Sequence, residues 1–169
     1  LARAPLTRAR AAKLGLVGYI GGPASAVAVQ GHYAYVLERG GLQVVDVSDP
    51  TQPRKVGFYT VRAEGVQVSG STVYVAAGPN GLRLVDVRDP TKPTEVGCYR
   101  PPEAGVFKVE GVYTIGSTAY VFARSDGLRV VDVSDPAHPT EIGHFDTPVA
   151  LGVYVSEGIA YVADGWDGL

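Results

Sequence analysis

Three near-copies of one decapeptide dominate the chain: GLQVVDVSDP from Gly41 to Pro50, GLRLVDVRDP from Gly81 to Pro90 and GLRVVDVSDP from Gly127 to Pro136. A fourth copy opens at Gly168 and Leu169. The opening glycines lie 40, 46 and 41 residues apart. Self-similarity at that period predicts an array of one supersecondary unit.

The residues around the decapeptide repeat with it. An aromatic strand core precedes each copy, with Tyr35, Tyr74, Tyr120 and Tyr161 standing 6, 7, 7 and 7 residues ahead of the glycine. A Val-Gly or Ile-Gly pair follows: Val17-Gly18, Val56-Gly57, Val96-Gly97 and Ile142-Gly143. The unit therefore reads as four short strands, A to D, rich in Val, Tyr, Leu and Ile, which suit a pleated, packed surface. In the first unit these span about Ala26 to Val29, Tyr33 to Leu37, Leu42 to Val47 and Lys55 to Tyr59. Strand C is nearly continuous in apolar residues, as expected where both faces are covered. Asn80-Gly81 and Asp126-Gly127 are hairpin turns joining B to C. Prolines in SDPTQP, RDPTKP and SDPAHP keep any ladder from running through the C–D link.

About forty residues as four antiparallel strands, apolar on both faces, describe a propeller blade. So short a unit cannot bury enough surface alone, and stacking blade on blade supplies the missing cover. The expectation is an all-β propeller of four-stranded antiparallel blades, with a dozen or so strands or more and no helix beyond a turn or two. Residues 14–169 hold a D strand near Leu14 to Ile20, three full units and strands A and B of a fourth. That is an incomplete ring of about three full blades plus parts of two. The strand around Tyr161 is expected to form an apolar edge. Further blades of the same chain beyond Leu169, or another protein subunit, would cover it. Continuation is the favoured reading, because Gly168-Leu169 open another decapeptide.

The decapeptides, preceded by AYV or VYV and followed by PTEVG or PTEIG, resemble the LVIVD repeat. That resemblance implies a β-propeller and an extracellular, cell-surface location of the kind common among bacterial and archaeal members. It brings no catalytic residues, because the repeated motif is structural.

Composition narrows the function classes. The chain has 169 residues, is 46% hydrophobic and carries a net charge of −2. Cys98 is its one cysteine, so neither an internal disulfide nor a cysteine-based metal cluster is expected. No nucleic-acid partner, cofactor or metal is expected either. Residues 1–13 form a basic arm with Arg3, Arg8, Arg10 and Lys13 and no acid, while the remaining 11 basic and 17 acidic residues leave −6 on the rest. Such an arm reads as a solvated leader, or as an element that touches an acidic surface or anionic lipid headgroups.

Catalytic signatures such as GxSxG, a phosphate loop, HExxH or a dinucleotide fingerprint do not occur. His32, His138 and His144 are scattered, and their expected roles are structural. Asp46, Asp86 and Asp132 could form a carboxylate ring, but their Asp-x-Ser/Arg-Asp-Pro context suits hydrogen bonds to turn amides. Asp164 and Asp167 beside Trp166 read as a turn, since the glutamate of a calcium loop is missing. Variation between units is the better pointer to function. The C–D loops hardly differ, whereas the B–C and D–A loops do, and propellers usually open those two on one face. The 46-residue spacing comes from an expanded D–A loop at about Arg100 to Glu110. Together these loops nominate an interaction face of Arg39, Arg62, Glu64, Arg100, Phe107, Lys108, Arg124, Asp126 and Trp166. The expected function is protein binding or scaffolding without catalysis. The alternative is a propeller hydrolase or lyase acting on carbohydrate or a lactone, which would require carboxylates, histidine or metal converging on a central funnel.

Overall fold

The structure is a computed structural model that describes residues 22–101, 108–123, 127–147 and 149–165. Fourteen strands and no helix appear among them. The first blade is β1 (Ala24–Gln30), β2 (Tyr33–Glu38), β3 (Gly41–Asp46) and β4 (Arg54–Thr60). The second is β5 (Gly65–Ser69), β6 (Thr72–Ala76), β7 (Leu82–Asp86) and β8 (Thr94–Tyr99). The third is β9 (Val109–Ile115), β10 (Thr118–Ala123), β11 (Gly127–Asp132) and β12 (Thr140–Phe145). Each is a four-stranded antiparallel sheet in sequence order, and β13 (Ala150–Ser156) with β14 (Ile159–Asp164) forms a two-stranded sheet. The all-β, propeller-blade reading of the sequence is what the structure shows. The D strand expected near Leu14 to Ile20 lies outside the described residues.

Period-two alternation explains why strand B is apolar throughout. In β6, Val73 and Val75 face back into a cluster with Tyr35, Leu37, Leu42 and Val44 of the first blade. Tyr74 and Ala76 between them face forward, into a cluster with Val109, Ala119, Val121 and Val131 of the third. One strand thus feeds two interblade cores. A fully buried aliphatic side chain contributes about 1.5–3 kcal/mol relative to exposure, and Val73, Val75, Val85 and Val121 are all fully buried.

Val56-Gly57, Val96-Gly97 and Ile142-Gly143 prove to be β-bulges, while Val17-Gly18 lies outside the described residues. In every blade the C–D ladder slips by one residue at the same place: between Val44 and Val45, Leu84 and Val85, and Val130 and Val131. The bulged strand turns the glycine toward the following blade. A Cβ on Gly57 would stand 2.1 Å from the carbonyl oxygen of Pro90, and one on Gly97 would stand 2.0 Å from that of Pro136. Both distances are far inside contact, so only glycine lets the next Asp-Pro loop close down.

A polar trio reinforces each of these joints. The Tyr59 hydroxyl donates to Glu95 of the next blade, and Arg83 donates to the same carboxylate at 2.8 Å. Tyr99 and Glu141 repeat the arrangement, with Arg129 at 3.5 Å from Glu141. Burial, and then the neighbouring carboxylate, push the Tyr59 phenol up to about 12, and the same causes raise Tyr99.

Strand C ends one residue earlier than the sequence suggests, at Asp46 rather than Val47, because the Asp46 side chain already turns the backbone by accepting from the Ser48 amide. Likewise β9 begins at Val109, so the last two residues of the expanded loop belong to a strand. The final sheet is the most open part of the described residues. Leu151, Tyr154, Ile159 and Tyr161 are exposed, and β14 pairs with β13 alone.

Candidate binding groove on the loop face

Three of the nominated residues meet in one groove. It has a volume of about 970 Å³, at the upper end of the ~300–1,000 Å³ usual for ligand pockets, and lies between the first two blades. Four short segments build it. Pro23 to Ser25 enter strand A, and Glu38 and Arg39 leave strand B. Arg62 to Glu64 form the D–A link, and Ala77 to Asn80 form the next B–C turn. The groove therefore sits on the face shared by the B–C and D–A loops, where the sequence differs most between units.

Backbone hydrogen bonds fix the groove's shape. Glu64 N donates to Ala76 O at 2.8 Å, which ties the D–A link to strand B. The turn at 77–81 closes on itself through Ala77 N to Gly81 O at 2.9 Å and Asn80 N to Ala77 O at 3.0 Å. Gly81 takes a left-handed φ of +82° there, as the Asn-Gly signal anticipates. Gly78 and Val109 exchange both of their backbone bonds at 3.1 Å, so the turn is strapped to the third blade.

Charge in the groove is unevenly satisfied. Glu38 is held by Lys55 at 2.6 Å and Glu64 by Lys108 at 3.2 Å. Lys108 also stands 4.0 Å from Glu110. Arg100 folds back over the rim, donating to Asn80 O at 3.1 Å and Asn80 Oδ1 at 3.3 Å. Arg39 and Arg62 are exposed and have no hydrogen-bond or ion-pair partner among the described residues. The groove's acids are matched while its two arginines remain available.

Of the nominated interaction residues, the structure brings Arg39, Arg62 and Glu64 together and sets Lys108 and Arg100 beside them. Phe107, Arg124, Asp126 and Trp166 lie outside the described residues. Sequence reasoning passed over Pro23, Glu38, Pro79 and Asn80. The adjacency of Glu38 to Arg39, and of Pro79-Asn80 to the recognised hairpin glycine, was the available signal.

The carboxylates proposed as turn elements behave as such. Asp46, Asp86 and Asp132 accept from the amides of Ser48, Arg88 and Ser134 at 2.8–2.9 Å. Asp49 and Asp89 accept from the amides and hydroxyls of Thr51 and Thr91, and Asp135 from the Ala137 amide. The Arg88 guanidinium on Asp86, the His138 ring on Asp135 and these turn bonds hold all six carboxyls below the ordinary aspartate value. Each strand-C aspartate thus serves the turn that follows its own strand. The histidines are local too. The His138 ring pairs with Asp135 at 2.9 Å and the His144 ring with Glu141 at 3.2 Å, while His32 takes part in its turn through its backbone carbonyl, which accepts from the Val47 amide at 2.8 Å. Asp164 accepts from the Thr147 hydroxyl. No group of three or more His, Cys, Asp or Glu suited to a metal ion occurs among the described residues.

Solved structures share this architecture at low sequence identity. The computationally designed Ika4 protein aligns with a TM-score of 0.67 and 15% identity over 92% of this chain and 94% of its own. The designed Ika8 protein gives 0.64 and 10% identity over 83% of this chain and 42% of its own. BamB from Moraxella catarrhalis gives 0.63 and 13% identity over 83% and 44%. The chain thus spans less than half the length of the Ika8 and BamB chains. At such identities the likeness concerns the fold, a β-propeller. No curated protein matches the sequence. The profile of the LVIVD repeat matches four times, at residues 21–61, 62–100, 108–147 and 149–169, so the chain belongs to the LVIVD-repeat family.

Proposed function

We propose that this propeller segment is a protein-binding or scaffolding module that docks partners on the face of its B–C and D–A loops. The observation that carries the reading is the groove between the first two blades, a concave site whose two arginines have no partner among the described residues. Loops on a rigid scaffold are where binding usually resides, and here the opposite C–D loops are spent on their own turns. A non-enzymatic role accords with aspartates committed to turn amides and with His138 and His144 paired to neighbouring carboxylates. Exposed Ile159 and Tyr161 on β14 suit additional propeller strands or another subunit against that edge. The family resemblance supports an extracellular, cell-surface setting, in which the basic arm at residues 1–13 would meet acidic or anionic-lipid surfaces.

Photo-crosslinking in cells of the native source tests the docking face. A crosslinker replacing Asn80 is expected to capture a discrete polypeptide, and one replacing Gln52 on the opposite face is not. Capture from Gln52 alone, or equally from both, would overturn the assignment.

A further inference from the structure

We infer that the groove takes an extended acidic peptide segment, with carboxylates received by Arg39 and Arg62. The inference rests on the docking face proposed above and names the chemistry of what docks there.

Four observations lead to it. First, Glu38 and Glu64 are neutralised in place by Lys55 and Lys108 at 2.6 and 3.2 Å, so the groove does not quench its own arginines. Second, those arginines come from different segments, Arg39 from the turn after β2 and Arg62 from the link before β5, and both line the groove. A planar guanidinium presents paired donors that match a carboxylate, and each arginine can hold one. Third, most of the remaining lining is small and apolar: Ala24, Ala63, Ala77 and Gly78 with Pro23 and Pro79. That alternation of charge and shallow apolar wall suits side chains projecting from an extended backbone. Fourth, the backbone amides that would form a phosphate-binding nest are occupied, because Glu64, Ala77, Gly78, Asn80 and Gly81 all donate to carbonyls within the fold. A compact anion such as phosphate would find no amide cradle, whereas spaced carboxylates find two forks.

The test is selection of random dodecapeptides displayed on phage against the intact 169-residue chain. Isolated peptides are then measured by fluorescence anisotropy on the wild type and on three variants. Arg39→Glu/Arg62→Glu reverses the two charges. Ala24→Trp fills the groove from an exposed position. Lys92→Glu makes a comparable charge change in a C–D loop on the other face. Melting curves confirm that each variant is folded.

Selected peptides should be enriched in Asp and Glu and should weaken about tenfold or more on the double arginine reversal. Ala24→Trp should weaken them as well, Lys92→Glu should leave them unchanged, and added salt should reduce affinity. Peptides that lose binding to Ala24→Trp, yet are neutral or basic and indifferent to the arginine reversal, would overturn the acidic-segment inference and leave the docking face standing. Peptides indifferent to all three variants, or no enrichment at all, would overturn both.

Discussion

Gly57, Gly97 and Gly143 occupy the same place in three successive blades, yet their surroundings differ sharply. The first two are covered by a prolyl carbonyl of the next blade, at distances no Cβ would tolerate, while Gly143 has nothing within 4 Å. One apolar neighbour follows the same division: Phe145 on β12 is 62% exposed, whereas Tyr99 at the same place on β8 is 5% exposed. The bulge glycine is tightly covered at Gly57 and Gly97, where the Asp-Pro turn of the next blade packs on it. The Val-Gly bulge of one blade and the Asp-Pro turn of the next are two halves of a single joint, and each half is structural only where the other meets it. The polar trio marks the same contrast. Tyr59 and Tyr99 reach across their joints to Glu95 and Glu141, while the third blade carries Phe145 at that position and has no hydroxyl to offer.

The largest expected effect separates those glycines directly. Gly97→Val should destabilise the fold by about 3 kcal/mol or more, because overpacking here meets backbone rather than a movable side chain. Gly143→Val should change stability by less than about 0.5 kcal/mol, as open surface positions do. Thermal melts of the two variants side by side measure this, and equal losses would break the comparison.

A smaller effect is expected from Tyr99→Phe, which removes one hydrogen bond to a carboxylate that Arg129 still partners. The loss should be roughly 1–2 kcal/mol. The converse change, Phe145→Tyr, should leave the melting temperature where it was; a gain comparable to the Tyr99→Phe loss would show that a hidden acceptor faces β12.

Extremes of pH sharpen the same contrast more gently. A phenol whose folded value exceeds its unfolded value of about 10 contributes stability that is complete below that pH and disappears as pH rises through the folded value. Tyr59, pushed up to about 12, and Tyr99, raised by the same causes, should therefore ionise late. Ultraviolet titration should show the melting temperature falling between pH 10 and 12, with a smaller alkaline fall in Tyr99→Phe.

The aspartates of the C–D turns act in the opposite sense. Their folded values are lowered, so their contribution is present above the ordinary value of about 3.9 and is lost as pH falls below it. A melting temperature level above pH 5 and declining below about pH 4 is expected. Asp89→Asn should flatten that decline slightly, and an unchanged acid profile would dismiss the turn carboxylates as its source.

The blade itself was legible because its information is local. Strand identity follows from the apolar runs, and the B–C hairpins from Asn-Gly and Asp-Gly, all within a few residues. The joints were not legible, since Gly57 meets Pro90 and Tyr59 meets Glu95 across the boundary between units. The Val-Gly pair was visible as a repeated dipeptide, but nothing beside it in sequence tells that it bulges or what it receives. The groove was half legible for a related reason. Loop variation picked out Arg39, Arg62 and Glu64, while the pairing that silences Glu64 and Glu38 depends on Lys108 and Lys55, which only the assembled blades bring near.

The two-sided strand B has a consequence for how such a chain can change over time. Because Val73 and Val75 serve one core and Tyr74 and Ala76 the other, inserting or deleting a single residue in β6 would exchange the two faces and spoil both neighbours at once. A lineage can therefore lengthen its blades only in the connections, and the 46-residue unit does so between β8 and β9. Length drift is channelled to the rim that holds the groove, leaving the opposite rim nearly constant from blade to blade.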